Sequence, residues 1–231
     1  MKFSEIKNKI VNNPGFKTLK EIKQAGYRIV KERDGDRYFL AKKEDLKPLL
    51  VRLGDIAEVR FGIKTGCNEF FYLPSKHFDI KKEGRYYRLI PKHEGLPNDL
   101  RIEEEYLKPV VKSPRECKSI FINPNDLRQK IFICNKSKAE MKSSNAIKYI
   151  EWGEKQQFNK IPSCKGRKRW WDLGIWQYPD MIWSDAYNDR YATFSVPQDH
   201  YADKRFFYIY PHNSKLFEIT KIYLNSTIIP L

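Results

Sequence analysis

The chain has 231 residues, enough to bury a substantial core as one large domain or two small ones. Its 41% hydrophobic and 14% aromatic content excludes disorder of the whole chain, and no apolar run approaches the roughly 20 residues that span a bilayer. Lys and Arg number 44 against 29 Asp and Glu, a formal charge of +15 that points to nucleic acid or another anionic partner, although a lysine-rich bias would account for part of the excess.

Residues 1–50 read as helix, helix, hairpin. Ile6, Ile10 and Val11 fall on one helical face that Asn12-Asn13-Pro14-Gly15 stops, and Leu19 and Ile22 continue on a short second helix ended by Gly26. Two strand-like runs, 27–30 and 37–40, flank the turn Asp34-Gly35-Asp36. The same order is found in part of a winged helix, but one helix is lacking for a helix-turn-helix domain. A connector or support is the simpler expectation, with a composition shift after Lys47-Pro48 dividing it from a main domain at 51–231.

Residues 55–73 alternate apolar Ile56, Val59 and Phe61 with polar positions, break at Gly62, and resume at Phe70-Phe71-Tyr72-Leu73, which predicts strand, tight loop, strand. The loop at 62–68 has neither the G-x-x-x-x-G-K-[ST] nor the G-x-G-x-x-G spacing of nucleotide-binding loops. Its glycines would let the backbone approach a ligand closely, with Lys64, Thr65 and Asn68 as polar readers.

A charged hairpin is expected over 79–100, then a short helix from Glu103 closed by Pro109, a strand running into a turn over 110–116, and strands at 119–122 and 130–134. Ala139, Met141, Ala146, Ile147, Ile150 and Trp152 give 136–157 a rough helical stripe, broken near Ser143-Ser144. Strand-like runs at 181–183, 191–195 and 205–210 precede a final helix. The expected class is α+β: a mixed, mostly antiparallel sheet with a few helices, preceded by the small helix-helix-hairpin element.

Within this order, residues 163–173, S-C-K-G-R-K-R-W-W-D-L, run four cations (Lys165, Arg167, Lys168 and Arg169) directly into Trp170 and Trp171. Such a segment suits the rim between a packed body and an anionic partner, since Arg and Lys neutralise phosphate and an adjacent aromatic stacks or anchors the loop. A solvated basic loop beside two core tryptophans is the competing reading.

No catalytic residue and no metal ligand is assigned. Cys67, Cys117, Cys134 and Cys164 are scattered, with neither a CxxC pair nor a histidine at ligand spacing, and reduced thiols in a cytoplasmic protein are the simplest expectation. Glu103, Glu104 and Glu105 read as surface acids complementing a helix dipole, and His77, His93, His200 and His212 read as surface turn residues. Asp55 to Glu58 with Lys64 loosely imitates the acid and acid-x-Lys groups of metal nucleases, which keeps a metal-dependent DNA endonuclease as one alternative. A basic module that docks an acidic protein is another.

Five ordered blocks carry a resemblance: F-G-I-K-T-G-C-N-E-F-F-Y-L, Y-L-K-P-V-V-K-S-P-R-E, Y-I-E-W-G-E, S-C-K-G-R-K-R-W-W-D-L and Y-L-N-S-T. Together, from Leu53 to Thr227, they resemble the target-recognition region of N-6 adenine-specific DNA methyltransferases, in particular the TaqI-like C-terminal specificity domain of type II and type IIG restriction-modification proteins. The resemblance implies sequence-specific reading of double-stranded DNA on behalf of a separate catalytic domain or subunit, which binds S-adenosylmethionine and methylates an adenine rotated out of the duplex. It makes Lys64, Thr65 and Asn68 DNA-facing loop residues and Lys165, Arg167, Lys168 and Arg169 phosphate or base contacts, with Trp170 and Trp171 locking the loop to the core.

The family's N-P-P-[YF] motif is absent, Asn123-Pro124-Asn125 being the nearest string, and no glycine-rich S-adenosylmethionine loop is present. The expectation is therefore a chain that holds no cofactor and does not methylate DNA alone, is C-terminally incomplete relative to the family, and works in the cytoplasm without a membrane partner.

Overall fold

The computed structural model describes residues 3–31, 36–42, 52–186 and 192–226. The turn residues Asp34 and Gly35, the domain boundary expected at 50/51, Tyr191 and Thr227 lie outside the described residues. The chain divides into two units, Met1–Ile56 and Ala57–Leu231.

The first unit contains α1 (Phe3–Ile6), α2 (Leu19–Gln24), β1 (Tyr27–Lys31), β2 (Tyr38–Lys42) and α3 (Leu53–Ile56). Thr18 opens α2 by accepting the Glu21 amide, an orphan of the first turn, at 3.2 Å, and Glu21 reaches back past the cap to the Lys17 amide at 2.7 Å. β1 and β2 pair antiparallel with Tyr27 opposite Lys42. Ile6, Ile10, Ile22, Tyr38 and Leu40 form the core of this unit. Val11 does not join the helical stripe expected for it and is 56% exposed. The reason is local: the chain leaves the helix, and the Val11 amide donates to the Tyr38 carbonyl at 2.9 Å, which makes positions 10 and 11 an extended pair with opposite faces.

The second unit holds β3 (Ala57–Phe61), α4 (Asn68–Phe71), β4 (Tyr72–Leu73), β5 (Phe78–Glu83), β6 (Tyr86–Pro91), β7 (Arg101–Glu103), β8 (Leu107–Val111), β9 (Lys130–Phe132), α5 (Ala146–Lys155), α6 (Pro162–Lys165), β10 (Met181–Ser184), β11 (Thr193–Ser195), β12 (Tyr201–Ala202), β13 (Phe206–Pro211) and α7 (Ser214–Leu224). They build sheets of order β11-β10-β13-β3, β12-β8-β9-β4 and β5-β6-β7. Among the described residues every strand pair is antiparallel except β12 with β8, so the protein is α+β with mostly antiparallel sheets.

Phe70 sits at the centre of this unit's core. Its ring stacks on Tyr149 at 4.7 Å, lies 4.5 Å from Trp170 and meets Phe132 edge-on at 5.6 Å, while the Tyr149 hydroxyl donates to the Phe70 carbonyl at 2.6 Å. Gly153 makes the arrangement possible, because a Cβ there would stand 2.7 Å from both the Phe70 and Trp170 rings.

Four local expectations are corrected. Residues 70–73 are not one strand: a helical turn, α4, delivers Phe70 and Phe71 to the core before β4 begins. Residues 119–122 make no strand; Phe121 bridges only Ser195 and is 66% exposed. The segment after β7 is a 3-10 turn, Glu104–Tyr106, and Pro109 lies inside β8 rather than closing a helix. The helix expected over 136–157 is confined to α5, because Glu103 stops it from extending backwards: its carboxylate accepts the Asn145 amide at 2.6 Å and the Ala146 amide at 3.0 Å.

Candidate functional site

The loop between β3 and α4 is held on two sides, each by a glycine. Gly62 passes so close to the chain after β12 that a Cβ there would lie 2.3 Å from the Asp203 carbonyl oxygen. The backbones zip together at this point: the Ile63 amide donates to Ala202 at 3.0 Å, and the Lys204 amide donates to Ile63 at 3.0 Å. Gly66 adopts φ +72°, and a Cβ on it would meet Ser163 at 2.9 Å. The Ser163 hydroxyl instead donates to the Gly66 carbonyl at 2.7 Å.

Segment 163–173 closes the other side. The Arg167 guanidinium donates to the carbonyls of Thr65 at 2.7 Å, Lys64 at 3.4 Å and Trp170 at 3.3 Å, and it stands over the Phe71 ring at 5.5 Å. Arg169 donates to the Asp172 carboxylate at 2.5 Å and to the Asn135 carbonyl at 2.7 Å. Trp170 and Trp171 are buried at right angles to each other, their indole N–H groups donating to Glu154 at 3.2 Å and to the Lys136 carbonyl at 3.3 Å. Of the four cations in this segment, Lys165 and Lys168 are exposed, whereas Arg167 and Arg169 are half-buried and engaged with the body of the protein.

The two glycine contacts leave an open cleft of about 470 Å³ lined by Lys64, Gly66, Asn68, Glu69, Ile161 and Lys204, among others. Lys64, Asn68, Glu69 and Lys204 are exposed. Thr65 is only 2% exposed, and its hydroxyl donates to the Asn68 side-chain oxygen at 2.6 Å, so it orients Asn68 rather than facing solvent. Behind the cleft, Asp203 is buried and takes the Tyr72 hydroxyl at 2.5 Å and the Arg205 amide at 3.0 Å. Burial, then the Asp203 charge, push the Tyr72 phenol far above its ordinary pKa. The Asp203 amide donates to Val111 at 2.9 Å, just before the K-S-P-R-E block, where Glu116 caps the Lys112 and Ser113 amides at 2.8 and 3.0 Å. The first, second and fourth of the five sequence blocks thus converge on one region.

Asp203 and Lys204 are not legible as site residues in the sequence, since long-range backbone pairing, including the Ile63–Asp203 bridge, brings them to the loop. The string Asp203-Lys204-Arg205 after a strand was the available signal. His77 is not a surface residue as expected: its side chain is 13% exposed and packs on Trp152 at 5.5 Å. Burial, followed by the Lys76 charge, lowers its pKa. Cys67, Cys134 and Cys164 are buried, Cys117 is half-buried, and all four are free thiols whose pKa burial raises. Chemically, exposed ammonium groups around a cleft with an oriented amide suit an anionic ligand that also presents hydrogen-bonding edges.

Residues 36–194 match the family described as type II methyltransferase M.Eco57I, C-terminal domain. The type II methyltransferase M.AccI of Acinetobacter calcoaceticus is 27% identical over 145 residues, which cover 60% of this chain and 23% of that relative; the match thus spans less than a quarter of the relative's length. Among solved structures, the type IIG restriction endonuclease BpuSI superposes with a TM-score of 0.42 at 10% identity, covering 78% of this chain and 21% of that one. Among the described residues no helix is long and apolar enough to cross a membrane.

Proposed function

We propose a DNA-reading role for this chain, which belongs to the family of type II methyltransferase M.Eco57I C-terminal domains. In this reading the chain recognises a specific sequence in double-stranded DNA for an adenine-specific methyltransferase or restriction-modification system. Residues 51–231 act as the target-recognition domain and 1–50 as its connector. Methyl transfer, and the S-adenosylmethionine it consumes, belong to a separate catalytic region in the cytoplasm.

The observation that carries the proposal is the clamped loop. Lys64 and Asn68 stand on a backbone fixed by Gly62, Gly66, Ser163 and Arg167, and exposed Lys165 and Lys168 lie on the clamping segment. Base readout needs donors and acceptors held rigidly while cations neutralise phosphate, and this arrangement supplies both. The test is selection from a randomised duplex pool at near-physiological salt. Enrichment of one short motif by the wild type, weakened in Asn68→Ala, is the expected result. Retention of duplex without enrichment of any motif would refute sequence reading by this chain.

A further inference from the structure

The sheet β5-β6-β7 carries a row of charge that the cleft does not use. Strand alternation turns Phe78, Tyr87, Leu89 and Ile102 into the core and leaves Lys81, Arg88 and Arg101 exposed on the other face. The register sets Lys81 opposite Arg88 and Arg88 opposite Arg101. Three cations therefore stand side by side across three strands, spanning two inter-strand spacings, or about 10 Å.

Like charges directly opposite each other disfavour a sheet. Of the neighbouring acids, Asp79, Glu103 and Glu104 are engaged elsewhere and do little to relieve the row. Asp79 pairs with Lys92 at 2.9 Å, Glu104 pairs with Lys82, and Glu103 is taken by the Asn145 and Ala146 amides. Glu83, half-buried, pairs with Arg88 at 3.9 Å, a long contact to a guanidinium that is itself half in solvent. Lys81 and Arg101 have no ion-pair partner among the described residues. An arrangement that repels itself in the free protein becomes favourable once a polyanion lies along it.

We propose that the Lys81-Arg88-Arg101 row is a second DNA contact, binding the sugar-phosphate backbone of a duplex without reading its bases. The inference rests on the DNA-reading function proposed above. A nucleic-acid backbone is the occupant because the row is complementary to it in charge: three cations side by side on a sheet face, with two guanidinium groups able to grip phosphate oxygens. The row supplies affinity and leaves sequence preference to the cleft.

The experiment compares the full chain with Lys81→Gln/Arg88→Gln/Arg101→Gln on random-sequence duplex, titrated at several salt concentrations. The slope of log K against log salt should fall by about 2 to 3 in the variant, the affinity loss should be uniform across sequences, and the motif selected from a pool should be unchanged. The melting midpoint should not drop, since repulsion is relieved. The double variant Lys81→Gln/Arg101→Gln keeps Arg88 and its Glu83 contact as a second test, with a slope loss of about 2. Wild-type slope in both variants, with the motif still selected, overturns the row alone. A wild type that binds no duplex overturns this proposal and the DNA-reading function together.

Discussion

Arg167 donates to the carbonyl of Thr65 at 2.7 Å across 102 residues of sequence, so the most basic stretch of the chain is tied by its own guanidinium to the loop it faces. Arg167→Lys keeps the charge but loses the planar fork that serves Thr65, Lys64 and Trp170 at once. The expected outcome is a loss of about 1–3 kcal/mol in denaturant-induced unfolding. A midpoint equal to that of the wild type would show that the clip does not hold the loop.

The exposed lysines should behave in the opposite way. Lys64→Gln/Lys165→Gln/Lys168→Gln removes side chains that lie in solvent, so stability should stay within about 0.5 kcal/mol while duplex affinity falls and the salt slope shrinks by up to about 3. Unchanged affinity in the folded variant would take these three residues out of the interface. Neutralising Lys165, Arg167, Lys168 and Arg169 together would mix this effect with loss of the clip and of the Arg169–Asp172 pair.

Gly153→Ala tests the packing beneath the site. Alanine favours a helix over glycine by about 1 kcal/mol, but its methyl would stand 2.7 Å from two buried rings, Phe70 and Trp170. Overpacking of that kind costs about 1–3 kcal/mol, so net destabilisation is expected in thermal unfolding. Trp170→Ala, which empties the same place, should cost about 3–5 kcal/mol.

Acid sensitivity should pass through Glu103. Burial works to raise its pKa, but hydrogen bonds from the Asn145 amide, its own backbone, the Ser144 hydroxyl and the Ala146 amide outweigh that and hold it below the ordinary glutamate value. A folded-state value below the unfolded one means that the contribution is present above the unfolded pKa and is lost as pH falls through the folded pKa. Glu103→Gln should lower stability by about 0.5–2 kcal/mol at neutral pH and flatten the acid side of the stability profile. An acid limb as steep as that of the wild type would assign the sensitivity to other carboxylates.

The sequence by itself determined the α+β class, the hairpin β5-β6 and the placing of two tryptophans beside a cationic run. These depend on period-2 alternation, turn residues and composition, which act over a few positions and can be read without knowing what lies opposite. The order of five blocks also pointed to the family that residues 36–194 match. Tertiary structure decided the rest. α5 begins at Ala146 because a carboxylate on β7 takes its first amides, and the stripe from Ala139 to Trp152 contains no trace of that partner. Lys204 joins the cleft through backbone pairing around the Ile63–Asp203 bridge, and Arg167 is divided from Lys165 and Lys168 by the carbonyls and the Phe71 ring it meets. Within a run of like cations, charge is a property of the residue, whereas the choice between solvent and a backbone acceptor depends on chain about a hundred residues away.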